Sequence, residues 1–409
     1  MISLEQTAQQ VIQALKRHKV SGYEISLSAS SGVSTAVRLG KVETLEYHLD
    51  KSLDINVYLG QAKGHTSSVD LSEGGILKAV ESACLIAKYT QNDPFSGLAP
   101  KELMAFDVPD LDMYYPWELD PSHSIDLATR CEAQALDHGA IDNSDGAEVS
   151  SYQGEGLYAN SNGMMSVQKG ARHSLNWVGD RVAKLAISKL GARSLASQKC
   201  PVIFSPRVSS GLFSQLIGAL SGASQYKKAT FLLDSIDKLI LPESISILEK
   251  PFSKKTIGAK AFDRDGVLKR QQYFVENGQV KSYVLSQYSA NQLGLKTTAN
   301  SGGVNNLIIE HQFTGDLDDM IKLMNKGLVV TELMGQGVNG TTGDYSRGAT
   351  GFWVENGEIQ YPVSGITIAG NLKDMLLGIE HVGTDVDYRG NIKVGSVLIN
   401  QMTIAGDTE

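Results

Sequence analysis

A glycine-rich stretch near the C-terminus places the strongest constraint on what this chain can fold into. Residues Thr331 to Gly351 read TELMGQGVNGTTGDYSRGATG, and two apolar runs, GFWV and YPVSGITIA, lie on either side of Asn356-Gly357. Asn-Gly between alternating hydrophobic runs is the strongest short-range signal of a β-hairpin, because both residues tolerate positive φ. The pattern therefore predicts two antiparallel strands behind a long polar loop from Thr331 to Gly351.

A loop of this length without regular structure is uncommon in a compact domain and is usually either functional or disordered. Beside strands with unpaired edges, such a loop could hold an extended peptide, because main-chain hydrogen bonds to a sheet edge give affinity with little sequence preference. The residues alone leave two alternatives open. The loop could be a mobile surface loop, or the strand edges could be covered by another subunit or loop.

The first part of the chain reads as helix, strands and helix. One helical face of the opening segment carries its apolar residues, namely Leu4, Ala8, Val11, Ile12 and Leu15. The segment from Tyr23 to Asp70 alternates apolar and polar residues between turn signals such as Ser31-Gly32, which predicts an antiparallel meander of about four strands. A second helix is predicted at Leu77–Tyr89 from its apolar spacing.

The central part begins with a proline-rich segment. Five of the ten prolines lie between Asn92 and Pro121, which marks a linker or an irregular crossover. Strand patterns follow at Ala147–Val178, with Asn162-Gly163 as a hairpin turn, and the stretch Gly179–Gly191 has a short helical pattern.

The C-terminal half is predicted to be mostly strands, including most of the stretch from Ala229 to Ile308. We therefore predict the α+β class, with an N-terminal helix–antiparallel meander–helix domain followed by a mostly antiparallel-β C-terminal domain with a few helices. The predicted boundaries are 1–92 for the N-terminal α+β domain, 93–195 for the Pro-rich crossover and central α+β region, and 196–409 for the C-terminal β-rich domain.

Composition excludes some classes of function. The net charge of −8 argues against binding to duplex nucleic acid, which requires a basic face to displace counterions. The N-terminus has no apolar signal-peptide core, and no apolar run is long enough to predict a membrane span. The three cysteines, Cys84, Cys131 and Cys200, are far apart and odd in number, which suits a reducing compartment. We therefore expect a cytoplasmic protein of a prokaryote-like cell.

The sequence lacks the familiar catalytic signatures. It contains no Walker loop, G-x-S-x-G elbow, H-E-x-x-H or Cys-x-x-Cys. No two of its eight histidines lie three to five residues apart, so no single helix or short loop supplies a zinc pair. His311 and His381 each follow a glutamate, but adjacent residues on a strand point to opposite faces. A structural or surface histidine is therefore the favoured interpretation of each.

The stretch TELMGQGVNGTTGDYSRGATGFWVENGEIQYPVSGITIAGNLKDMLLGIEHVGTD closely resembles the C-terminal hallmark of the TldD/PmbA family. The order of the predicted elements is similar to that family through most of the chain. The resemblance implies a heterodimeric zinc metallopeptidase of the bacterial cytoplasm, with a TldD-type and a TldE-type subunit, that trims or degrades unfolded peptides, including a microcin precursor and an antitoxin. In TldD-type members, H-E-x-x-x-H on the helix after the first strand of the C-terminal domain binds the zinc together with a cysteine near the C-terminus.

The positions of this chain that match the zinc motif carry other residues. In the helix GLFSQLIGALSG, Ser214 and Ala219 stand where the two histidines would be, and Gln215 stands where the glutamate would be. The place of the cysteine falls near Asn391, in a segment that looks shorter here. Alanine cannot ligate zinc, serine is a poor neutral ligand, and glutamine cannot accept a proton as glutamate does. The resemblance therefore implies that this chain has no catalytic residue and no metal, and that it supports a TldD-type partner that carries the zinc.

Loop composition and the resemblance together suggest where a peptide would be held. The candidate peptide-binding residues are Met334, Gly335, Gln336, Gly337, Asn339, Tyr345 and Arg347. Among these, Tyr345 and Arg347 are the side chains expected to contact the peptide, and the alternative is that the loop packs at a subunit interface. The expected partners are a TldD-type subunit, a second copy of the chain when that subunit is absent, and unfolded peptides. Neither nucleic acid nor a membrane is expected as a partner.

Two other classes of function stay open. The chain could be a regulatory binding protein without peptidase action, for example a modulator of DNA gyrase that acts through a toxin–antitoxin route, although its acidic charge argues against direct DNA binding. It could also be a self-sufficient hydrolase built from its dispersed histidines. Co-purification with a TldD-type partner would favour the peptidase subunit. Tight binding to gyrase would favour the regulatory protein, and metal bound by the chain alone would favour the self-sufficient hydrolase.

Overall fold

The structure, a computed structural model, describes residues 3–176 and 180–406. The chain divides into an N-terminal unit, Met1–Ser188 with Asp265–Leu268, and a C-terminal unit, Lys189–Arg264 with Lys269–Glu409. Each unit combines helices with sheets whose strands are mostly antiparallel, so the predicted α+β class is confirmed. The three-part division of the chain stays a prediction.

The N-terminal unit contains four helices and five strands among its described residues. In chain order they are α1 (Leu4–Leu15), β1 (Gly22–Arg38), β2 (Lys41–Leu59), β3 (Ala62–Ser68), α2 (Glu73–Tyr89), α3 (Pro121–Leu136), β4 (Ala147–Asn160), β5 (Met165–Asn176) and α4 (Asp180–Ile187). The helix predicted at Gly179–Gly191 and the strand predicted to reach Val178 lie partly outside the described residues.

One antiparallel sheet, ordered β3-β2-β1-β4-β5, forms the framework of the N-terminal unit. The meander has three strands rather than the predicted four, because Ser31-Gly32 lies inside the continuous strand β1. Gly32 pairs with Tyr152 of β4, and a Cβ atom at Gly32 would lie 2.4 Å from that ring. The glycine therefore makes room for a neighbouring side chain and does not mark a turn.

Two helices cover one face of this sheet. Val11 and Leu15 of α1 and Val80 of α2 are buried in one hydrophobic cluster with Ile25 of β1 and Ile55 of β2. The helix α1 begins with a capping box, in which the Ser3 hydroxyl accepts a hydrogen bond from the main-chain N–H of Gln6 and the Gln6 side chain accepts one from the N–H of Ser3. The predicted amphipathic helix is thus confirmed.

A buried carboxyl group links three strands of the sheet. Glu24 accepts hydrogen bonds from the hydroxyl of Tyr58 at 2.8 Å and from the hydroxyl of Tyr158 at 3.0 Å. Burial raises the pKa of Glu24, and the hydrogen bond from Tyr58 opposes this change.

The raised pKa makes the stability of this unit depend on pH. A carboxyl with a raised pKa stabilises the fold fully below its ordinary pKa of 4.5, and this contribution is lost as the pH rises through the folded-state pKa. The loss amounts to about 1.4 kcal/mol for each tenfold difference in proton affinity between the folded and unfolded states. We therefore expect Glu24→Gln to retain more of its unfolding free energy than the unchanged chain between pH 4.5 and 7. Urea unfolding across this range checks the expectation, with exposed Glu43→Gln as the control. Parallel pH profiles for Glu24→Gln and the unchanged chain would contradict it.

The C-terminal unit contains the remaining elements. In chain order they are β6 (Gln198–Phe204), α5 (Pro206–Ala219), α6 (Gly222–Tyr226), β7 (Ser246–Glu249), β8 (Gln272–Glu276), β9 (Gln279–Val280), α7 (Gln287–Leu293), β10 (Leu307–Glu310), α8 (Leu317–Met324), β11 (Gly327–Met334), β12 (Asp344–Glu355), β13 (Glu358–Asn371), α9 (Leu372–Leu377), β14 (Ile379–Val382), β15 (Ile392–Lys393) and β16 (Val397–Gly406).

Two sheets organise this unit. The larger sheet runs β13-β12-β11-β6-β16-β14, and an additional pairing of β13 with β16 closes five of its strands into a ring. The smaller sheet runs β15-β10-β7-β8-β9. A hydrophobic cluster that includes Phe204 of β6, Phe213 of α5 and Phe274 of β8 joins α5 to strands of both sheets. The helix α5 is therefore fixed by core packing.

The Asn-Gly signals in the C-terminal half are confirmed as hairpin turns. Asn356 and Gly357 have φ values of 56° and 73° between β12 and β13, and Asn277-Gly278 likewise joins β8 to β9. The prediction that Ala229 to Ile308 is mostly strand is wrong. Only short strands form there, and α7 begins at a Ser286 capping box within a stretch that alternation assigned to a strand.

Candidate functional site

The helix that matches the zinc motif begins directly after a buried strand. Pro206 occupies the first turn of α5, where its fixed φ suits a helix start. The buried Ser209 hydroxyl donates a hydrogen bond at 2.8 Å to the carbonyl of Gly395, just before β16. The helix also contacts β15, which follows Asn391. The fold therefore places the helix α5 next to the segment that contains Asn391.

The side chains at these positions do not form a zinc site. Ser214 is exposed, Gln215 is half-buried, and Ala219 is buried in the core with no ligating atom. The spacing of Ser214 and Ala219 is that of the two histidines in H-E-x-x-x-H, so the difference lies in the residue types. These residue types do not fit the three protein ligands and the general base that catalytic zinc requires.

Both ends of the Asn391 amide are held by the main chain. Its Oδ1 atom accepts a hydrogen bond from the N–H of Asn306 at 2.6 Å, and its Nδ2 donates to the carbonyl of Val304. Asn391 thus fixes the segment before β10. In the part of the chain that the structure describes, no group of three or more His, Cys, Asp or Glu side chains is arranged to hold a metal. The prediction that this chain binds no zinc stays a prediction.

The glycine-rich loop is shorter than the sequence predicted. Thr331–Met334 belongs to β11 and Asp344–Gly351 belongs to β12, so residues 335–343 alone form the connection. At Gly337 a Cβ atom would lie 2.0 Å from the carbonyl oxygen of Ser346, whose N–H donates to the Gly337 carbonyl at 2.7 Å. A side chain at this position would separate the two arms of the loop.

Hydrogen bonds give this connection a defined conformation. The Asn339 Oδ1 accepts from the main-chain N–H groups of Thr341 and Thr342 at 3.0 and 3.2 Å. The loop is also tied to its own unit, because Phe231 donates its N–H to the carbonyl of Gly340 at 3.0 Å and Leu372 donates to that of Gly343 at 2.7 Å. The loop is therefore an ordered part of the C-terminal unit.

The predicted peptide-contacting side chains differ in exposure. Met334, Gln336 and Asn339 are exposed, whereas Tyr345 is only 4% exposed and lies in the core. Burial raises the pKa of Tyr345 to about 12, and the neighbouring charge of Arg347 opposes this change. Arg347 is half-buried, and its Nε atom is buried with no hydrogen-bond partner. In this conformation Tyr345 is not accessible to a peptide, and the proposed role of the loop stays a prediction.

The histidines of the two Glu-His pairs line one cavity of the C-terminal unit. The cavity has a volume of about 270 Å³, and its lining includes His311, Phe313, Glu380 and His381. The rings of Phe313 and His381 are stacked, with centroids 4.5 Å apart. Glu310 is not part of the lining and accepts a hydrogen bond from the Tyr273 hydroxyl at 2.9 Å.

Sequence reasoning missed this cavity because it assumed regular strands. The register of β14 against β16 shifts between Ile379 and His381, which marks a bulge. A bulge interrupts the alternation of faces, so Glu380 and His381 both line the cavity. His311 lies just beyond the end of β10, where strand alternation no longer applies. Neither feature has a signal in the sequence of the strands themselves.

The environment of His311 alters its titration. Burial lowers the pKa of His311, while a main-chain hydrogen bond involving Phe313 and the charge of Asp385 oppose this change. Asp385 itself accepts hydrogen bonds from the main-chain N–H of Ser396 at 3.0 Å and from its hydroxyl at 2.7 Å.

Removing the charge of Asp385 is expected to lower the pKa of His311 further. Asp385→Asn keeps an oxygen acceptor for Ser396 but removes the negative charge that favours the imidazolium. A pH titration of the His311 ring signals by NMR measures the change. Asp387→Asn is the matched control, because the charge that raises the pKa of His311 is that of Asp385 and not that of Asp387. An unchanged or raised pKa of His311 in Asp385→Asn would contradict this assignment.

Comparison with known proteins identifies the family of this fold. Three family models match in chain order. They are described as PmbA/TldA metallopeptidase domain 1 at residues 23–87, the central domain at 114–190 and the C-terminal domain at 197–406. Metalloprotease PmbA of Escherichia coli O157:H7 is 44% identical, with 95% of this chain and 93% of that protein covered. The chain belongs to the TldD/PmbA family, as a PmbA-type member.

Other relatives agree with this assignment. A metalloprotease PmbA homolog of Haemophilus influenzae is 41% identical, with 94% of this chain and 92% of that protein covered. TldE from Thermococcus kodakarensis has the same fold, with a TM-score of 0.85, 21% identity, and 98% and 100% of the two chains covered. So does a Bacteroides thetaiotaomicron protein described as a candidate modulator of DNA gyrase, with a TM-score of 0.90, 24% identity and full coverage of both chains. These two similarities concern the fold alone.

No helix in residues 3–176 or 180–406 has the length and apolar character needed to cross a bilayer. This finding agrees with the sequence, in which no apolar run is long enough to predict a membrane span.

Proposed function

We propose that this chain is the TldE-type subunit of a cytoplasmic zinc metallopeptidase complex that degrades or matures unfolded peptides. It has no catalytic residue of its own and supports a TldD-type partner that carries the zinc. The observation that carries the proposal is the set Ser214, Gln215 and Ala219 on α5, in a chain that belongs to a metallopeptidase family. Alanine has no ligating atom, serine is a poor neutral ligand, and glutamine cannot act as a base at neutral pH.

The supporting role includes holding the peptide. Exposed side chains of the connection between β11 and β12, namely Met334, Gln336 and Asn339, offer apolar and amide contacts. Arg347 is half-buried and is the charged side chain among the candidate residues, and its Nε atom has no hydrogen-bond partner within the described part of the chain. Main-chain hydrogen bonds along an extended peptide would add affinity without selecting its sequence.

Mixing with a TldD-type partner is expected to produce activity that this chain lacks alone. Zinc content and cleavage of an unstructured peptide are measured for this chain, for the partner and for an equimolar mixture. We expect the cleavage rate of the mixture to exceed the sum of the separate rates by at least about tenfold, which corresponds to about 1.4 kcal/mol of activation free energy. The zinc is expected to remain in the partner, since Ser214, Gln215 and Ala219 on α5 do not provide the ligands that zinc requires.

Variants of the degenerate positions serve as the control. Ser214→Ala and Gln215→Ala are expected to leave the activity of the mixture unchanged, because neither side chain holds zinc or moves a proton in the proposed complex. Stoichiometric zinc in this chain alone, together with cleavage that these variants abolish, would overturn the proposal. Tight binding to DNA gyrase, with no gain of cleavage on mixing, would instead favour the regulatory binding protein.

A further inference from the structure

The cavity between β10 and β14 has the size of a subsite for one side chain. Its volume of about 270 Å³ lies just below the range of pockets that enclose whole small-molecule ligands. Glu380 in its lining is exposed, whereas Val382 and Ile245 are buried. A narrow cavity of this kind can accept a projecting group while the rest of the ligand stays outside.

The polar atoms of the cavity are suited to a donor that carries positive charge. Its lining contains the carboxylate of Glu380 and no Lys or Arg side chain. The Nδ1 atom of His311 is buried and has no hydrogen-bond partner. A neutral imidazole has one nitrogen that accepts a hydrogen bond, and burial favours the neutral form of His311. An N–H donor in the cavity would satisfy this atom, whose desolvation is otherwise uncompensated.

An aromatic wall adds a preference for a flat cation. The rings of Phe313 and His381, which both line the cavity, stack on each other at 4.5 Å with an interplanar angle of 30°. A guanidinium group stacks on aromatic rings and donates two parallel hydrogen bonds to a carboxylate, whereas an ammonium group is a compact and strongly hydrated charge. The net charge of −8 also favours approach of a basic peptide.

We propose that this cavity binds the guanidinium group of an arginine side chain in an extended peptide, with Glu380 as the counter-charge, His311 Nδ1 as an acceptor and Phe313 as the stacking surface. The inference rests on the proposed peptide-holding function and gives it a substrate preference, namely for unfolded segments that contain arginine. Its consequence is that a chain without catalytic residues contributes to the choice of substrate.

Binding is tested with the full chain alone, so that the result does not depend on a partner or on catalysis. Two fluorescent unstructured peptides of about ten residues are used, which are identical except that one has arginine and the other citrulline at the central position. Citrulline keeps the shape and removes the charge. Fluorescence anisotropy is expected to give about threefold to fivefold tighter binding of the arginine peptide, because an ion pair with the exposed Glu380 contributes up to about 1 kcal/mol.

The variant Glu380→Gln should abolish the preference. It is expected to bring the arginine peptide to within about twofold of the citrulline peptide, while the exposed control Glu358→Gln, on β13 and outside the cavity lining, keeps the full difference. Because Glu380 is exposed, its replacement leaves the fold intact. Ring signals of His311 and His381 that shift with the arginine peptide alone would place the contact at the cavity.

Four outcomes would overturn the proposal, and the first three concern peptide binding. They are equal affinity for the two peptides, a preference that survives Glu380→Gln, and no binding of the arginine peptide at about 1 mM, which is an affinity of only about 4 kcal/mol. A fourth is stoichiometric binding of Zn²⁺ by the chain that His311→Ala removes, since the cavity would then be a metal site. If the mixture cleaves peptides but this chain shows no preference for arginine, the arginine site is refuted and the proposed function stands. If this chain prefers the arginine peptide but the mixture does not cleave, the arginine site stands and the proposed function is refuted.

Discussion

Replacement of Lys269 by methionine is expected to lower the unfolding free energy of the C-terminal unit by about 3–5 kcal/mol. Lys269 forms an ion pair with Glu249, with Nζ and Oε1 3.3 Å apart, and the two side chains are 1% and 0% exposed. Methionine has a similar length and fills the same space, so the loss comes from the buried carboxylate that remains without its counter-charge. Removal of one partner of a buried pair is costly for this reason.

The carboxylate of Glu249 organises the surrounding segment. It accepts hydrogen bonds from the side chain of Gln272 at 2.9 Å, from that of Asn300 at 3.0 Å and from the main-chain N–H of Asn305 at 2.6 Å. Lys269 in turn donates at 2.7 Å to the carbonyl of Ala299, whose φ of 58° is unusual for a residue with a side chain. The pair therefore fixes the irregular chain that leads into β10.

Hydrogen exchange in increasing urea measures the loss of unfolding free energy in Lys269→Met, because it reports the stability of each unit separately. Amides of β7 and β8 should lose protection at lower urea in Lys269→Met, while those of β1 and β4 in the N-terminal unit keep theirs. The matched control is Lys326→Met, since Lys326 pairs with Glu355 at 3.1 Å but the two side chains are 61% and 43% exposed. An exposed pair contributes about 0–1 kcal/mol. A loss no larger than that of the control would show that Glu249 does not depend on Lys269 as its counter-charge.

Replacement of Phe213 by alanine is expected to destabilise the C-terminal unit by about 3–5 kcal/mol. Phe213 is fully buried on α5, in a cluster with Phe204, Leu328 and Phe274. Removal of its ring loses buried apolar area and leaves a cavity that the surrounding strands cannot fill. Since α5 depends on this packing for its position, the helix and its contact through Ser209 should lose protection together.

The next residue along the same helix provides the control. Ser214 is exposed, so Ser214→Ala should change the unfolding free energy by no more than about 0.5 kcal/mol. Urea-dependent hydrogen exchange of β6 and β11 measures both variants under the same conditions. In the mixing experiment with a TldD-type partner, Phe213→Ala should also lower the cleavage rate of the mixture above the temperature at which its C-terminal unit unfolds. Equal stability of the two variants would show that α5 is not held by core packing.

Local signals predicted the two Asn-Gly turns of the C-terminal half correctly. Asn277-Gly278 and Asn356-Gly357 form hairpin turns because positive φ at both residues is a property of those residues. Ser31-Gly32 failed as a turn signal because the space beside Gly32 is occupied by Tyr152, which is distant in sequence. The α+β class followed from the periodicity of the apolar residues, which depends on near neighbours in the chain.

The sequence by itself determined the family, the α+β class and the absence of zinc-ligating residue types at Ser214, Gln215 and Ala219, because each depends on which residues stand at which spacing. Only the tertiary structure decided that Tyr345 is buried and that His311 and His381 share one cavity. Both facts depend on which strands become neighbours, and the shared cavity also depends on a bulge at Glu380 that interrupts the alternation of faces. Pairing between distant segments is set by the packing of the whole unit, and no local pattern of residues encodes it.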